Sequence, residues 1–377
     1  MLYTDIPTEA DFTSLDAVRD SVCISIYLPT TPVTRNNLID RITFKNAIAE
    51  AVAQLEAANL NTRSIAAAYR LLNELLQDEC FWTYQADGLA VFATPHELRT
   101  FRLPTCVEHI VEVADRFHLK PLLPLLAYPG ACFILALSQK AVRIIEVTSS
   151  LAETVAIEAL PKSMSDALKR QFPKDRAPAR RVQGREGMKV LIGQYCRMID
   201  RALRPMLAGR TQPLIVAAVE EMAAIYRANN SYPHVLSETI IGNPDRISDQ
   251  ELALFARELA TKHAKRIISD RLRLIFERAS SDMTSTDVTK IAKAAVCGRV
   301  GTLLIDTATA RPGTINPKDG TITLAEQSSA DTYDILDELA GLTIRTGGDV
   351  LPVSRAMLPA DSPVAAIFRF RSSAHPE

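Results

Sequence analysis

Several chemistries are missing from this sequence of 377 residues. Its six histidines (His96, His109, His118, His234, His263 and His375) never pair with one another or with a cysteine at metal-ligand spacing, which argues against a zinc site. There is no G-x-x-x-x-G-K-[ST] or G-x-G-x-x-G to cradle phosphates, and no G-x-S-x-G nucleophile elbow. Six cysteines, at 23, 80, 106, 132, 196 and 297, form no C-x-x-C pair. Most lie in apolar runs, so buried free thiols of a reducing cytoplasm are expected. Glycine is scarce, 14 residues, which favours an α/β over an all-β chain. Excess charge is missing too. Lys plus Arg total 43 against 44 Asp plus Glu, so a uniformly basic nucleic-acid coat is excluded and any such contact needs a local patch.

The opening MLYTDIPTEADF is acidic and lacks a basic n-region before an apolar stretch, so no signal peptide is expected. One uncharged run, Pro121 to Ser138, is long enough to test as a membrane span. Pro121, Pro124 and Pro129-Gly130 divide it into a helical turn, a turn and a buried strand. The expected location is the cytoplasm, with no membrane or DNA partner.

Periodicity lays out three stretches, at residues 1–127, 128–245 and 246–377. In the first, Val22, Ile24, Ile26 and Leu28 alternate as a half-buried strand, and a Pro/Thr loop follows. Phe44, Ile48, Val52 and Leu55, then Ile65, Tyr69, Leu72 and Leu76, recur at helical spacing. Gly88–Ala93 and Arg99–Leu103 read as a hairpin. The second stretch opens with strands Cys132–Leu137 and Val142–Val147. Met188, Leu191, Tyr195, Met198, Ala202 and Met206 then share a helical face, and Pro213–Val219 is a buried strand. The third begins at Ser248-Asp249-Gln250-Glu251, a capping box opening a long helix with Leu252, Phe255, Leu259, Ile267 and Leu274 inward. A capped helix Asp287–Cys297, a strand Val300–Ile305, a loop around Pro312–Gly320, a helix near Asp334–Ile344 and two strands close it. The class is mixed α/β.

Between Lys169 and Lys189 the charge balance changes. Eight basic residues (Lys169, Arg170, Lys174, Arg176, Arg180, Arg181, Arg185 and Lys189) stand against Asp175 and Glu186, an excess of six in a chain whose total is −1. Pro173, Pro178, Gly184 and Gly187 make the early part an irregular loop. Such a loop is either a solvated connection or a finger whose arginines hold phosphate in bidentate contacts. Arg197, Arg201 and Arg204 continue the positive face at helical spacing, a pattern that solvated helices also show. Glu220 and Glu221 follow the buried strand, where a two-metal nuclease could place carboxylates. No matching acids stand on neighbouring strands, so a solvated turn is the reading there.

The order of motifs resembles a known family. Asp87-Gly88-Leu89-Ala90-Val91-Phe92, Asp115-Arg116-Phe117-His118 and Pro121-Leu122-Leu123-Pro124-Leu125-Leu126, followed by the strand pair from Cys132, are similar to the first-to-second domain junction of the archaeo-eukaryotic release factors and Pelota. Gly298-Arg299-Val300-Gly301-Thr302-Leu303-Leu304, Arg345-Thr346-Gly347-Gly348-Asp349-Val350 and Ala365-Ala366-Ile367-Phe368-Arg369-Phe370 resemble that family's C-terminal domain. Among bacterial branches the chain most resembles the Balon-type ribosome hibernation factors.

The resemblance implies three domains: an N domain for the decoding centre, a ribonuclease-H-like middle domain and an L7Ae-like C domain. It implies a cytoplasmic, stress-linked protein in the ribosomal A site, bound to ribosomal RNA and delivered with elongation factor Tu; from the missing motifs above, no cofactor or metal is expected. The implied RNA-contacting residues are Lys174, Arg176, Arg180, Arg181, Gln183, Gly184, Arg185, Glu186, Gly187 and Lys189. Thr30, Thr31, Arg35, Asn61, Thr62 and Arg63 would meet the decoding centre. Releasing members carry Gly-Gly-Gln in the middle-domain loop; here that stretch reads Arg181-Val182-Gln183-Gly184-Arg185-Glu186-Gly187. Gly347-Gly348 suits a helix C-cap, and Ile192-Gly193-Gln194 falls inside the helix pattern. The stop-codon-reading Asn-Ile-Lys-Ser is replaced by Asn61-Thr62-Arg63-Ser64. A non-enzymatic hibernation factor is therefore expected. A rescue hydrolase that frees peptidyl-tRNA, or an RNA-binding adaptor away from the A site, are the alternatives.

Overall fold

The computed structural model describes residues 4–32, 38–58, 61–127, 130–171, 185–278, 283–326, 332–358 and 362–370. Its contacts group the chain into two compact units. One is residues 1–2 with 129–264, the other residues 3–128 with 265–377. The mixed α/β class expected from the sequence is borne out.

In the second of these units the chain opens with α1 (Glu9–Asp16), held by a Thr8/Asp11 capping box, and β1 (Cys23–Pro29). Helices α2 (Leu38–Ala57), α3 (Thr62–Gln77) and α4 (Glu79–Thr83) follow. Strands β2 (Gly88–Ala93), β3 (Leu98–Leu103) and β4 (Ile110–Ala114) complete an antiparallel sheet of order β3-β2-β1-β4, and α5 (Leu123–Ala127) closes the segment. One sheet face carries Ile24, Ile26, Val91 and Val113, which share a core with Phe44, Leu72 and Trp82 from the helices.

The alternation in β1 predicts a half-buried strand, yet six of its seven residues are buried. The other face has its own cover. Cys23, Tyr27 and Phe92 belong to a continuous core with Phe12 and Leu15 of α1 and with residues of the C-terminal segment, among them Ile291, Leu336 and Leu339. Each large apolar side chain buried this way contributes about 1.5–3 kcal/mol.

That C-terminal segment holds α10 (Val288–Val296), capped by Asp287, and α11 (Ile335–Arg345), capped by Asp334. Its main sheet runs β10-β16-β11-β15, from Thr284–Ser285, Val364–Phe368, Val300–Asp306 and Asp349–Val353. The stretch expected as a loop at Pro312–Gly320 is instead partly sheet. β12 (Pro312–Ile315) pairs with β13 (Ile322–Leu324) and with β14 (Tyr333–Asp334). Asn316 closes the hairpin turn, its carbonyl accepting from Gly320 N and its side chain from Lys318 N, with Gly320 at φ +72°. Gly347, at φ +72°, follows the C-cap Thr346 and ends α11 in the left-handed turn expected there.

The unit of residues 129–264 is built on a five-stranded sheet, order β7-β6-β5-β8-β9. β5 (Cys132–Leu137), β6 (Val142–Val147) and β7 (Ala152–Val155) are antiparallel; β8 (Leu214–Ala218) and β9 (Val235–Ile241) continue in parallel with β5. This arrangement is in keeping with the ribonuclease-H-like middle domain that the resemblance implies. Helices α6 (Met164–Gln171), α7 (Arg185–Leu207) and α8 (Glu220–Asn229) cover one face, and the start of α9 (Asp249–Arg278) the other. The Ser248/Glu251 capping box is formed, with bonds of 3.0 and 3.3 Å. Asp249 staples the α9 start to the sheet through Arg143 at 2.8 Å and Thr154 at 2.5 Å.

The expected α7 face is largely borne out: Leu191, Tyr195 and Ala202 are buried and Met198 and Met206 pack against the same core, together with Ile192, Cys196, Ile199 and Leu203, whereas Met188 is exposed. Phe255 and Tyr69 are exposed as well, because their helices bury a neighbouring stripe. Of the cysteines, all free, Cys23, Cys132 and Cys196 are buried but Cys80, Cys106 and Cys297 are not. Burial pushes the Cys23, Cys132 and Cys196 thiols up to about 12, so they are unreactive. Among the described residues, no helix is long and apolar enough to cross a membrane.

Candidate functional site

The basic stretch connects α6 to α7. Lys174, Arg176, Arg180, Arg181, Gln183 and Gly184 lie outside the described residues, so its placement is known only from its two ends. α6 is anchored at the carboxyl end of β5: Met164 N donates to Gln139 O at 3.0 Å, and Asp166 caps locally by accepting from Lys162 N at 2.9 Å. α7 begins at Arg185. Glu186 and Lys189 are exposed in its first two turns, with Gly187 half-buried. Lys189 pairs with Glu221 at 3.5 Å, which ties the start of α7 to the start of α8. This ion pair joins two exposed side chains and contributes little to stability.

Along α7 the arginines differ. Arg197 donates to Asn229 Oδ1 at 3.0 Å. Arg204 is held by Asp200 at 2.9 Å, and Asp200 also accepts from Ser231 N and Oγ at 2.8 Å. Burial alone would raise the Asp200 carboxyl, but these hydrogen bonds outweigh it and lower it. Arg201 is exposed. Gln194 sits within α7 with its Oε1 buried and no hydrogen-bond partner, and it is not presented to solvent as a water-orienting group. Glu220 and Glu221 are exposed in the first turn of α8, and no metal-binding group of three or more His, Cys, Asp or Glu occurs among the described residues.

The two candidate loops of the first segment also separate. Thr30 is buried and its hydroxyl donates to Ala86 O at 2.9 Å, which makes it a structural residue. Thr31 N donates to Asp40 Oδ2 at 2.9 Å. Burial raises the Asp40 carboxyl, partly offset by these bonds from Thr31. Arg35 lies outside the described residues. Asn61, Thr62 and Arg63 are exposed at the N-terminus of α3, where Asn61 is the cap and accepts from Arg63 N at 2.9 Å. Thr62 and Arg63 are free to meet a partner; Asn61 is engaged by the helix it starts.

Sequence reasoning missed a charge cluster in the unit of residues 3–128 and 265–377. Arg116 pairs with Glu338 at 2.5 Å, His118 with Asp337 at 3.4 Å, and Lys120 with Asp334. Arg345 joins Asp16 and Glu338, each at 2.8 Å. The Asp115-Arg116-Phe117-His118 motif is legible in the sequence, but its acidic partners lie more than 200 positions away.

Residues 129–266 match the sequence model of bacterial archaeo-eukaryotic release factor family 11. No curated protein matches. Solved structures similar to the chain include an archaeal translation termination factor, aRF1, at 15% identity over 97% of this chain and 99% of that one, TM-score 0.26. Archaeal Pelota in a ribosome-bound assembly with ABCE1 shares 14% over 73% and 72%, TM-score 0.41. S. cerevisiae Dom34 shares 14% over 73% of each chain, TM-score 0.41. The family 11 match spans the five-stranded sheet and the basic stretch between α6 and α7, and over these residues it agrees with the release-factor resemblance read from the sequence.

Proposed function

We propose that this protein is a ribosome-binding translation factor that occupies the A site and holds the ribosome inactive under stress, without releasing peptide. The observation that carries this is a family 11 match over residues 129–266 in which the approach to α7 and its first turn read Arg181-Val182-Gln183-Gly184-Arg185-Glu186-Gly187. The release-factor framework is there, with a strongly basic connection, but the Gly-Gly-Gln that releasing members use is not.

The basic connection would enter ribosomal RNA, with arginines on phosphates. Thr62 and Arg63 would face the decoding centre, and delivery would be by elongation factor Tu. Arg63 is exposed while Thr30 is used inside the fold, which supports giving the decoding-centre contact to the start of α3.

Two measurements on purified components test the reading. Co-sedimentation with vacant ribosomes, with and without elongation factor Tu, should show stoichiometric binding. A peptide-release assay on ribosomes loaded with peptidyl-tRNA should give the buffer rate. Release well above buffer would make the protein a rescue hydrolase, and binding to free RNA but not to ribosomes would make it an adaptor.

A further inference from the structure

A cleft of about 690 Å³ opens within the unit of residues 3–128 and 265–377, a volume suited to a small-molecule ligand. One wall is a face of β4. Val111 and Val113 point into the helix-covered core, so Ile110, Glu112 and Ala114 project the other way, into the cleft. The far wall is the loop at 307–310, Tyr333 and the first turn of α11.

The charges lining it are unequal. Asp16, Glu108, Glu112, Asp334, Asp337 and Glu338 face three cations, Arg116, His118 and Lys120. Each of those cations is already engaged, by Glu338, Asp337 and Asp334 respectively. Glu108 and Glu112 are left with no ion pair or hydrogen bond among the described residues. Two further carboxylate oxygens in the wall are short of donors. Asp337 Oδ1 is buried without a hydrogen bond. Asp16 is 8% exposed, and its Oδ2 has Arg345 alongside at 2.8 Å but no aligned hydrogen bond. Between the charges the lining is apolar, with Val107, Ile110, Phe117, Pro121 and Pro124.

This chemistry selects a ligand class. Surplus carboxylate repels phosphates and organic acids. A divalent metal needs several converging hard donors, and no such group occurs among the described residues. An ammonium on a flexible methylene chain meets both features, with its charge on a carboxylate and its stem on apolar wall. We infer that the cleft binds an aliphatic diamine or polyamine, one ammonium held by Glu112 and Glu108 and the methylenes against Ile110, Pro121 and Pro124.

The inference is independent of ribosome binding and can be tested on the full chain alone. Titration calorimetry with spermidine and with putrescine, at constant ionic strength, should show saturable binding to one site. Glu108→Gln with Glu112→Gln should weaken it at least tenfold, while Glu158→Gln, an exposed carboxylate in the other unit, should leave it unchanged. Glu108 has no internal ion pair or hydrogen bond and Glu112 acts internally only through its charge on His118, so the melting curve of the double variant should stay close to that of the parent. Ile110→Lys, which places a tethered ammonium in the cleft, provides a second check and should abolish binding. Absence of saturable binding, binding indifferent to the glutamate changes or to Ile110→Lys, or equal displacement by MgCl2 at matched ionic strength would each overturn the assignment.

Discussion

Lys120 and Asp334, separated by 214 positions in sequence, form an ion pair in which the side chains are only 4% and 7% exposed. Lys120 Nζ also donates to Thr309 O at 2.8 Å, and Asp334 Oδ1 accepts from Arg311 N and from Leu336 N at the start of α11. The pair therefore links the end of the first segment to the helix that opens the closing part of the C-terminal segment.

Removing one partner strands the other charge in the interior. Lys120→Met should lower the unfolding free energy by about 3–5 kcal/mol in urea titration, the usual cost of breaking a buried pair from one side. Because both segments share one core, the loss should appear in a probe of Trp82, which lies in the first segment. A loss below about 1 kcal/mol would mean that the pair is solvated in solution.

Acidification should stabilise this unit. Burial alone would depress the His118 imidazolium, but the hydrogen bond and charge of Asp337 outweigh it and hold it above its ordinary value. A raised folded value contributes stability that is complete below about pH 6.5 and lost as pH rises through the folded value. Asp16 is pushed up to about 6, by burial first, against the opposing charge of Arg345. Its ionisation therefore costs stability, a cost absent below about pH 4 and complete above 6. Asp115 is lowered, chiefly by its hydrogen bonds from Arg116, and its contribution is lost only in the acid range below both windows. Melting temperature should thus fall as pH rises from about 5 through 6 and on beyond 6.5, and His118→Gln should flatten the upper part of that fall. A rise over this range would contradict the assignment.

Affinity for ribosomes should depend on salt through the basic connection. Changing Arg176, Arg180, Arg181 and Arg185 together to Ala should reduce the slope of log affinity against log salt by up to roughly three units, at ~0.7 per contact. If these side chains serve RNA alone, stability should stay within about 0.5 kcal/mol. An unchanged slope with parental affinity would reject the finger. A lowered melting temperature would show that the stretch is packed on the domain.

Neither glutamine near the basic stretch should matter for chemistry. Gln183→Ala and Gln194→Ala are expected to leave ribosome binding intact and peptide release at the buffer rate. Gln194 offers a stability readout as well. Because its Oε1 is buried without a partner, Gln194→Leu should be neutral or stabilising by about 1 kcal/mol in thermal denaturation.

Two glycines with similar backbone angles should respond differently to alanine. At Gly209, φ +74°, a Cβ meets nothing within 4 Å, so the cost is the left-handed backbone alone, about 1–2 kcal/mol. At Gly320, φ +72°, the Cβ would fall 2.6 Å from Lys293 Cα, so Gly320→Ala should cost clearly more. Equal costs would place Lys293 elsewhere.

Periodicity and capping alone determined most elements of this protein. The strands at Cys132–Leu137 and Val142–Val147, the Ser248/Glu251 box and the Gly347 cap follow from patterns a few residues long, and local sterics enforce them wherever they occur. The basic excess at 169–189, the lack of Gly-Gly-Gln and the family resemblance were likewise legible as linear sequence. What covers each surface was not. Alternation in β1 shows that one face is apolar but cannot show that Cys23 and Tyr27 are also buried, because their cover comes from the C-terminal segment. Likewise, Pro312–Ile315 reads as loop until β13 and β14 pair with it. The charge cluster depends on the tertiary structure most of all. His118 and Asp337, or Lys120 and Asp334, are unremarkable surface residues in sequence, and only the fold's removal of water from between them turns them into partners.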